Sequence, residues 1–247
     1  LKNKFSRKIK MASLDKKLRP LRDRMYIDLG GVEGVDKDMV TESIMNYRIP
    51  EVDYNGKVCL DLGSNICSFS KIALDNGAAK VIAVECDPRN FSILENNALG
   101  RYGKSIELIH AAVTNGKSKT VKLFKADSKN KHCSTTILDK NVKFNEYDEV
   151  DAVSYKKLIK KYKPDIVKID IETAEYHMIE EIINSQPDVL FIELHSGKYR
   201  DLMYPTSERL KEIYPIHKIE PLIFFGTVNG LDCFFMKNKK ENDTEEQ

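Results

Sequence analysis

Apolar and polar positions fall into a regular order after Asn55 and Gly56. Residues 57–62 (KVCLDL) and 80–85 (KVIAVE) are short, nearly unbroken apolar runs bounded by turn residues, which predict strands buried on both faces. Between them, residues 65–76 carry helical spacing and close at Gly77, so strand, helix and strand make one βαβ unit. The order continues with a helix over 88–99, whose Pro88 suits a first helical turn, and a strand over 106–110. Residues 165–171 (DIVKIDI) and 188–194 (DVLFIEL) predict two more strands. Ala174, Met178, Ile179, Ile182 and Ile183 share one face of a helix between them. A helix over 207–213 precedes two closing strands, 216–219 and 231–236, joined through 226–230 (GTVNG) as an antiparallel hairpin at the sheet edge. These elements predict an α/β fold: a mostly parallel, seven-stranded sheet with helices on both faces and an antiparallel C-terminal hairpin.

The flanks differ in pattern. Residues 1–24 hold ten Lys or Arg against Asp15 and Asp23, with Ile9, Met11, Leu14, Leu18 and Leu21 near helical spacing, which predicts a basic amphipathic arm. Residues 25–31 read as an extended segment and turn, and 38–47 as a helix ending before Pro50. Between Thr114 and Pro164 the pattern loosens. Thirteen lysines face six acidic residues, and a short strand over 120–125 leads into a long polar loop, so this stretch reads as an inserted excursion. The expected organisation is an arm and helical extension over 1–50, a main domain over 51–237 and a charged, disordered tail over 238–247.

Charge and cysteine usage narrow the function. Forty basic against 38 acidic side chains give a net charge of +2, so indiscriminate nucleic-acid binding through bulk positive charge is not implied. The five cysteines are an odd set without a C-x-x-C pair, which reads as a reducing compartment, a cytoplasmic location and no structural zinc. No run approaches the roughly 18 apolar residues of a membrane span, and the basic N-terminal stretch lacks the apolar core of a secretory signal.

Ligands of an open parallel sheet bind beyond the carboxyl ends of its strands. Polar groups gather at five such ends: 61–67 (DLGSNIC), 85–88 (ECDP), 110–112 (HAA), 170–172 (DIE) and 193–195 (ELH). A turn before a helix, followed by an acidic residue at the end of the second strand, is the general plan for holding an adenosine. The helix N-terminus takes an anionic group and Glu85 takes ribose hydroxyls. Gly63 stands without the further glycines of G-x-G-x-x-G, having Asn65 and Cys67 at the next two places, and a pyrophosphate is thereby disfavoured. S-adenosylmethionine suits the site better. Its carboxylate meets the helix N-terminus, while Asp61 and Asp170 favour its ammonium and sulfonium charges.

The segments CLDLGSNICSFSKIAL, VIAVECDPRNFSILENNAL, ELIHAAVTNGKS, VDAVSYKKLI, DIVKIDIETAEYHMIEEI and DVLFIELH occur in the order and near the spacing of FkbM-type S-adenosylmethionine-dependent methyltransferases. The resemblance covers roughly 57–195. Its most specific element is KIDIETAE (168–175), similar to the family's K-I-D-x-E-G-A-E. It implies a Rossmann-like class I methyltransferase fold and O-methylation of a hydroxyl on a sugar, glycan or small metabolite. Two positions depart from the family: Cys67 and Thr173 stand where it has glycine, and both add bulk near the expected cofactor.

The expected cofactor-binding set is Asp61, Gly63, Ser64, Asn65, Glu85, Cys86, Ala111, Ala112 and Asp170. The expected catalytic set is Asp170, Glu172 and His195, with Glu193 beside them. Methyl transfer from a sulfonium needs alignment of acceptor oxygen, carbon and sulfur, and removal of the acceptor's proton. His195 is attractive as the base because an unperturbed imidazole titrates near neutrality. No metal is expected, although carboxylates with one histidine could hold Mg²⁺ or Mn²⁺. His110 is expected to border the adenine pocket, and His132 with Cys133 lacks the partners of a zinc site. The acceptor is expected to be a carbohydrate or small molecule. An RNA or DNA methyltransferase is the alternative favoured by the basic segments, and a non-catalytic scaffold the alternative favoured by the two lost glycines. The sequence names neither the acceptor nor the oligomeric state.

Overall fold

A computed structural model of the protein describes residues 46–125, 136, 146–224 and 227–238. The basic arm, the segment at 25–31, most of the helix expected over 38–47, His132, Cys133 and nearly all of the tail lie outside the described residues. The chain builds β1 (Val58–Leu62), α1 (Ser68–Asp75), β2 (Lys80–Glu85), α2 (Pro88–Tyr102) and β3 (Ile106–His110). It goes on through β4 (Ala112–Thr114), β5 (Thr120–Phe124), β6 (Tyr147–Ser154), α3 (Tyr155–Tyr162), β7 (Ile166–Ile169), α4 (Ile179–Ser185) and β8 (Val189–His195). The last elements are α5 (Arg200–Ile213), β9 (Ile216–Phe224) and β10 (Thr227–Met236).

The main sheet has seven strands in the order β3-β2-β1-β7-β8-β10-β9. β3, β2, β1, β7 and β8 are parallel, and β10 runs antiparallel between β8 and β9. The order reverses at β1, so the crevice over the ends of β1 and β7 is the topological switch point where such sheets bind ligands. Both faces are covered, as the apolar runs require. Cys59, Val81, Ala83, Ile166, Phe191 and Phe234 pack with Phe69 and Ile72 of α1 and Leu94 of α2. The alternate residues Leu60, Ile82, Val167, Leu190 and Phe235 pack with Leu158 of α3, Ile182 of α4 and Leu210 of α5. Asp61, Lys168 and Glu193 lie two residues beyond Cys59, Ile166 and Phe191, so strand alternation puts these polar groups on the first face at the strand ends. Among the described residues, no helix is long and apolar enough to cross a membrane.

Several expectations differ in detail. The excursion is not a plain loop: β4, β6 and β5 form a second, three-stranded sheet, and α3 leads the chain back to β7. β4 is only three residues long, β6 buries only Val150 and Ser154, β5 only Leu123, and the four lysines of α3 flank Tyr155 and Leu158 as its buried residues, so little periodicity shows in the sequence. The helix expected from Asn65 begins at Ser68, because Asn65 (φ 49°) and Cys67 (φ 91°) adopt left-handed backbone. The single helix read through Ala174 is a 3₁₀ turn, Ala174–His177, then α4, divided at Met178. α5 starts at Arg200 and carries the exposed Pro205 inside it, where the sequence reading let the proline precede the helix. Residues 227–230, read as turn, belong to β10, which has a bulge between Val228 and Gly230.

Candidate active site

The β1–α1 turn is shaped by what it must pass. Gly63 has φ +76°, and a Cβ there would lie 1.8 Å from the Asp170 carbonyl oxygen, so only glycine lets β1 and β7 end this close together. The Gly63 and Ser64 N–H groups donate to the Val84 carbonyl at 2.9 and 3.0 Å, tying the turn to β2. Ser64 Oγ donates to the Asp61 carbonyl at 2.8 Å. The left-handed Asn65 turns its N–H onto Glu85 Oε2 at 2.8 Å, and Glu85 Oε1 accepts the Asp87 N–H at 2.8 Å. Burial pushes the Glu85 carboxyl from 4.5 up to about 7, outweighing the two N–H groups that favour its ionised form. Asp87 then caps α2 by accepting the Arg89 N–H at 2.9 Å, with Pro88 in the first turn.

A solvent-open cleft of about 630 Å³ lies above these strand ends. Of the residues expected to bind cofactor, Gly63, Asn65, Glu85, Cys86, Ala111, Ala112 and Asp170 line it, and Glu172 joins them. Asp61 and Ser64 are buried beneath the turn instead. Asp61 Oδ2 accepts from Ser70 Oγ at 2.6 Å, while Oδ1 has no hydrogen-bond partner and stands 3.6 Å from Lys168 Nζ. Burial raises the Asp61 carboxyl above its ordinary value, with Lys168 and Ser70 acting against the rise. His110 is exposed and stacks on Phe91 at 4.4 Å rather than lining the cleft. Cys67 is wholly buried, and burial pushes its thiol up to about 12, which removes it as a nucleophile.

Lys168, the first residue of the KIDIETAE motif, received no role from the sequence. It is buried, and its Nζ donates to the Gly63 carbonyl at 2.6 Å and lies 3.5 Å from Asp170 Oδ2. Burial opposes its charge, but Asp170, Asp61, Glu85 and Glu193 together outweigh burial and raise its pKa. One ammonium thus clamps the ends of β1 and β7. The signal was a lysine inside an apolar strand, since a buried lysine needs carboxylate partners.

Beyond it, His195 gathers the other acidic ends. Its Nε2 lies 3.1 Å from Glu193 Oε1, 3.3 Å from Glu172 Oε2 and 3.9 Å from Asp170 Oδ1. On the opposite edge of the ring, Nδ1 is 3.3 Å from Glu175 Oε1, which also accepts the His195 backbone N–H at 3.0 Å. Burial lowers the imidazole pKa, but Glu193, Glu172 and Glu175 outweigh it and lift the value well above 6.5. The unperturbed imidazole expected from the sequence is therefore absent: these carboxylates favour the protonated form of His195. Glu175 also escaped the sequence reading, although a charged residue on the buried side of the following turn is the same kind of signal as Lys168. A second cleft, of about 410 Å³, opens on the far side of this cluster. It is lined by Tyr47, Phe191 and Phe234 together with Lys168, Glu193 and Asp232.

Strand order and the crevice at the switch point are those of Rossmann-like class I methyltransferases. Residues 58–216 match the methyltransferase FkbM domain, and the chain belongs to that family. A search of curated protein sequences gives no match. Among solved structures, the chain is similar to precorrin-6Y C5,15-methyltransferase from Geobacter metallireducens at 13% identity and TM-score 0.45, over 82% of this chain and 89% of that one. It is also similar to TYW2 of M. jannaschii in complex with AdoMet, at 14% identity and TM-score 0.47, over 84% of this chain and 80% of that one. The C-terminal domain of precorrin-6Y C5,15-methyltransferase from Rhodobacter capsulatus gives 10% identity and TM-score 0.45, over 83% and 92%.

Proposed function

We propose that the protein is an S-adenosylmethionine-dependent O-methyltransferase acting on a hydroxyl of a sugar, a glycan or a small metabolite. The observation that carries this reading is a pair of clefts linked through His195, which lines neither but stands between Asp170 and Glu172 of one and Glu193 of the other. Asp170 and Glu172 face the cleft over the Gly63 turn, and Glu193 faces the cleft lined by Tyr47, Phe191 and Phe234. In the first cleft, Glu85 is placed to accept ribose hydroxyls, and the acidic wall suits a sulfonium. The single close turn at Gly63 leaves no glycine-rich cradle for a pyrophosphate. In the second cleft, aromatic side chains beside carboxylates and a lysine match a polyhydroxylated acceptor, which offers apolar ring faces and hydroxyl donors together.

Asp170, Glu172 and His195 line the reacting centre in this reading. S-adenosylmethionine held over the Gly63 turn would supply the methyl group from its sulfonium and keep the electron pair of the broken bond as a thioether, while a carboxylate of the wall would take the proton of the acceptor hydroxyl. A nucleic-acid acceptor has one observation in its favour: α3 carries Lys156, Lys157, Lys160 and Lys161 and no acidic residue. The acidic wall repels a polyphosphate at the point of reaction, and so favours the neutral acceptor. Incubating the enzyme with labelled S-adenosylmethionine and a pool of glycans and metabolites, followed by mass spectrometry, tests the reading. Methyl ethers on carbohydrate or metabolite hydroxyls are expected. Label found on adenine or cytosine of added oligonucleotides, and on no hydroxyl, would replace it with the nucleic-acid alternative.

A further inference from the structure

We propose that Asp170, Glu193 and His195 form a binding site for a divalent cation of the Mn²⁺ type, set in the wall between the two clefts. One ligand atom from each residue lies within 4.8 Å of the other two. Around an octahedral ion about 2.1 Å from its donors, adjacent ligand atoms stand about 3 Å apart and opposite ones about 4.2 Å. His195 Nε2 is 3.1 Å from Glu193 Oε1 and 3.9 Å from Asp170 Oδ1, within that span. Two carboxylate oxygens with one imidazole suit a borderline ion such as Mn²⁺ better than Mg²⁺, which prefers oxygen alone.

A separate observation favours positive charge at this wall. Glu175 is wholly buried and turns its carboxylate onto His195. Its Oε1 takes the His195 backbone N–H, yet its Oε2 has no hydrogen-bond partner. A buried carboxylate oxygen left so is costly unless positive charge stands nearby. Four carboxylates, those of Asp170, Glu172, Glu175 and Glu193, surround His195. Lys168 Nζ lies 3.5 Å from Asp170 Oδ2 at the edge of this group.

Glu175 also prepares the ligand. A neutral His195 that donates Nδ1–H to Glu175 Oε1 presents the Nε2 lone pair to Asp170 and Glu193, the usual arrangement of a metal-binding histidine backed by a carboxylate. Asp170 lines the first cleft and Glu193 the second, so the remaining coordination positions are open to an acceptor hydroxyl. That role rests on the methyl-transfer reading, whereas the binding of the ion does not.

The test uses the full chain, dialysed against EDTA and then titrated with MnCl₂. Free Mn²⁺ is followed by electron paramagnetic resonance, and heat by calorimetry. One ion per chain is expected, with Glu193→Gln and His195→Ala each weakening binding at least tenfold. Glu175→Gln is expected to weaken it roughly 10–100-fold, as loss of a supporting carboxylate does. Thermal melts and S-adenosylmethionine affinity of the same variants report whether each is folded. Absence of a stoichiometric ion in the wild type, or Mn²⁺ binding unchanged in folded Glu193→Gln, would overturn the site in favour of a fixed imidazolium held by its carboxylates. Mn²⁺ bound without any affinity for S-adenosylmethionine would leave the metal site standing and remove the cofactor reading instead.

Discussion

Of the six non-glycine residues with positive φ among the described residues, two stand where the family resemblance expects glycine. They are Cys67 (φ 91°) and Thr173 (φ 76°), both in the left-handed region and Thr173 with a β-branched side chain. The missing glycines therefore mark turns that glycine would make without strain. Thr173→Gly is expected to raise stability by about 1 kcal/mol, read from the urea midpoint at unchanged slope. Cys67→Gly gains less, because Cys67 also fills the core against α1. Glu85 supplies a second expectation. Its folded-state carboxyl titrates at about 7 against an ordinary 4.5, so between those values the folded protein holds a proton that the unfolded chain has lost. Its contribution to stability is thus greatest at low pH, falls as pH rises from about 4.5 to 7, and stays low above. Glu85→Gln is expected to flatten that part of the stability profile. The same change should weaken S-adenosylmethionine binding by roughly 1–3 kcal/mol, as measured by calorimetry near pH 8.

At the scale of elements, the site is built where strand ends meet rather than within any single motif. The β1–β7 pairing sets Asp61 directly beside Lys168, and the Gly63 turn passes over the Asp170 carbonyl with no room for a side chain. Lys168 supplies the positive charge that lets the buried Asp61 and the half-buried Asp170 lie together. Lys168→Met keeps the length of the side chain but strands both carboxylates, and is expected to cost about 3–5 kcal/mol in denaturant unfolding. An equal stability in Lys168→Met would show that the carboxylates find protons or water instead. The break between the 3₁₀ turn at Ala174–His177 and α4 belongs to the same logic. It brings Glu175 under His195 and lets Tyr176 donate its hydroxyl to the His195 carbonyl at 2.9 Å, so the end of β8 is gripped from below.

At the scale of the whole molecule, the two helical layers and the sheet hold the crevice open while the second sheet of β4, β6 and β5 borders it through Ala112. A ligand that binds only this folded arrangement stabilises all of it together. S-adenosylmethionine at 100 times its dissociation constant is expected to add about 2.7 kcal/mol, an increase of roughly 5–10 °C in melting temperature for a chain of this size. NAD at the same concentration is expected to give no shift. A larger shift with NAD would reassign the cleft to a dinucleotide.

The sequence by itself determined the order and type of the main-sheet strands, because burial on both faces demands apolar runs that are visible locally. It also gathered the polar groups at strand ends, where Asp170, Glu172, Glu193 and His195 do come together. It left β4, β6 and α3 unread, because β4 has three residues, β6 buries only Val150 and Ser154, and α3 only Tyr155 and Leu158. Only the tertiary structure decided which polar residue meets which. Asp61 and Lys168 are 107 positions apart and adjacent solely through the β1–β7 register, and Glu175 reaches His195 only because the helix read from the sequence breaks at Met178. Hydrophobic periodicity is a property of neighbouring residues along the chain, whereas charge pairing and the resulting pKa values are properties of strand order and register. The close turn at Gly63 was therefore legible in advance, but the burial of Asp61, the clamp at Lys168 and the raised pKa of His195 were not.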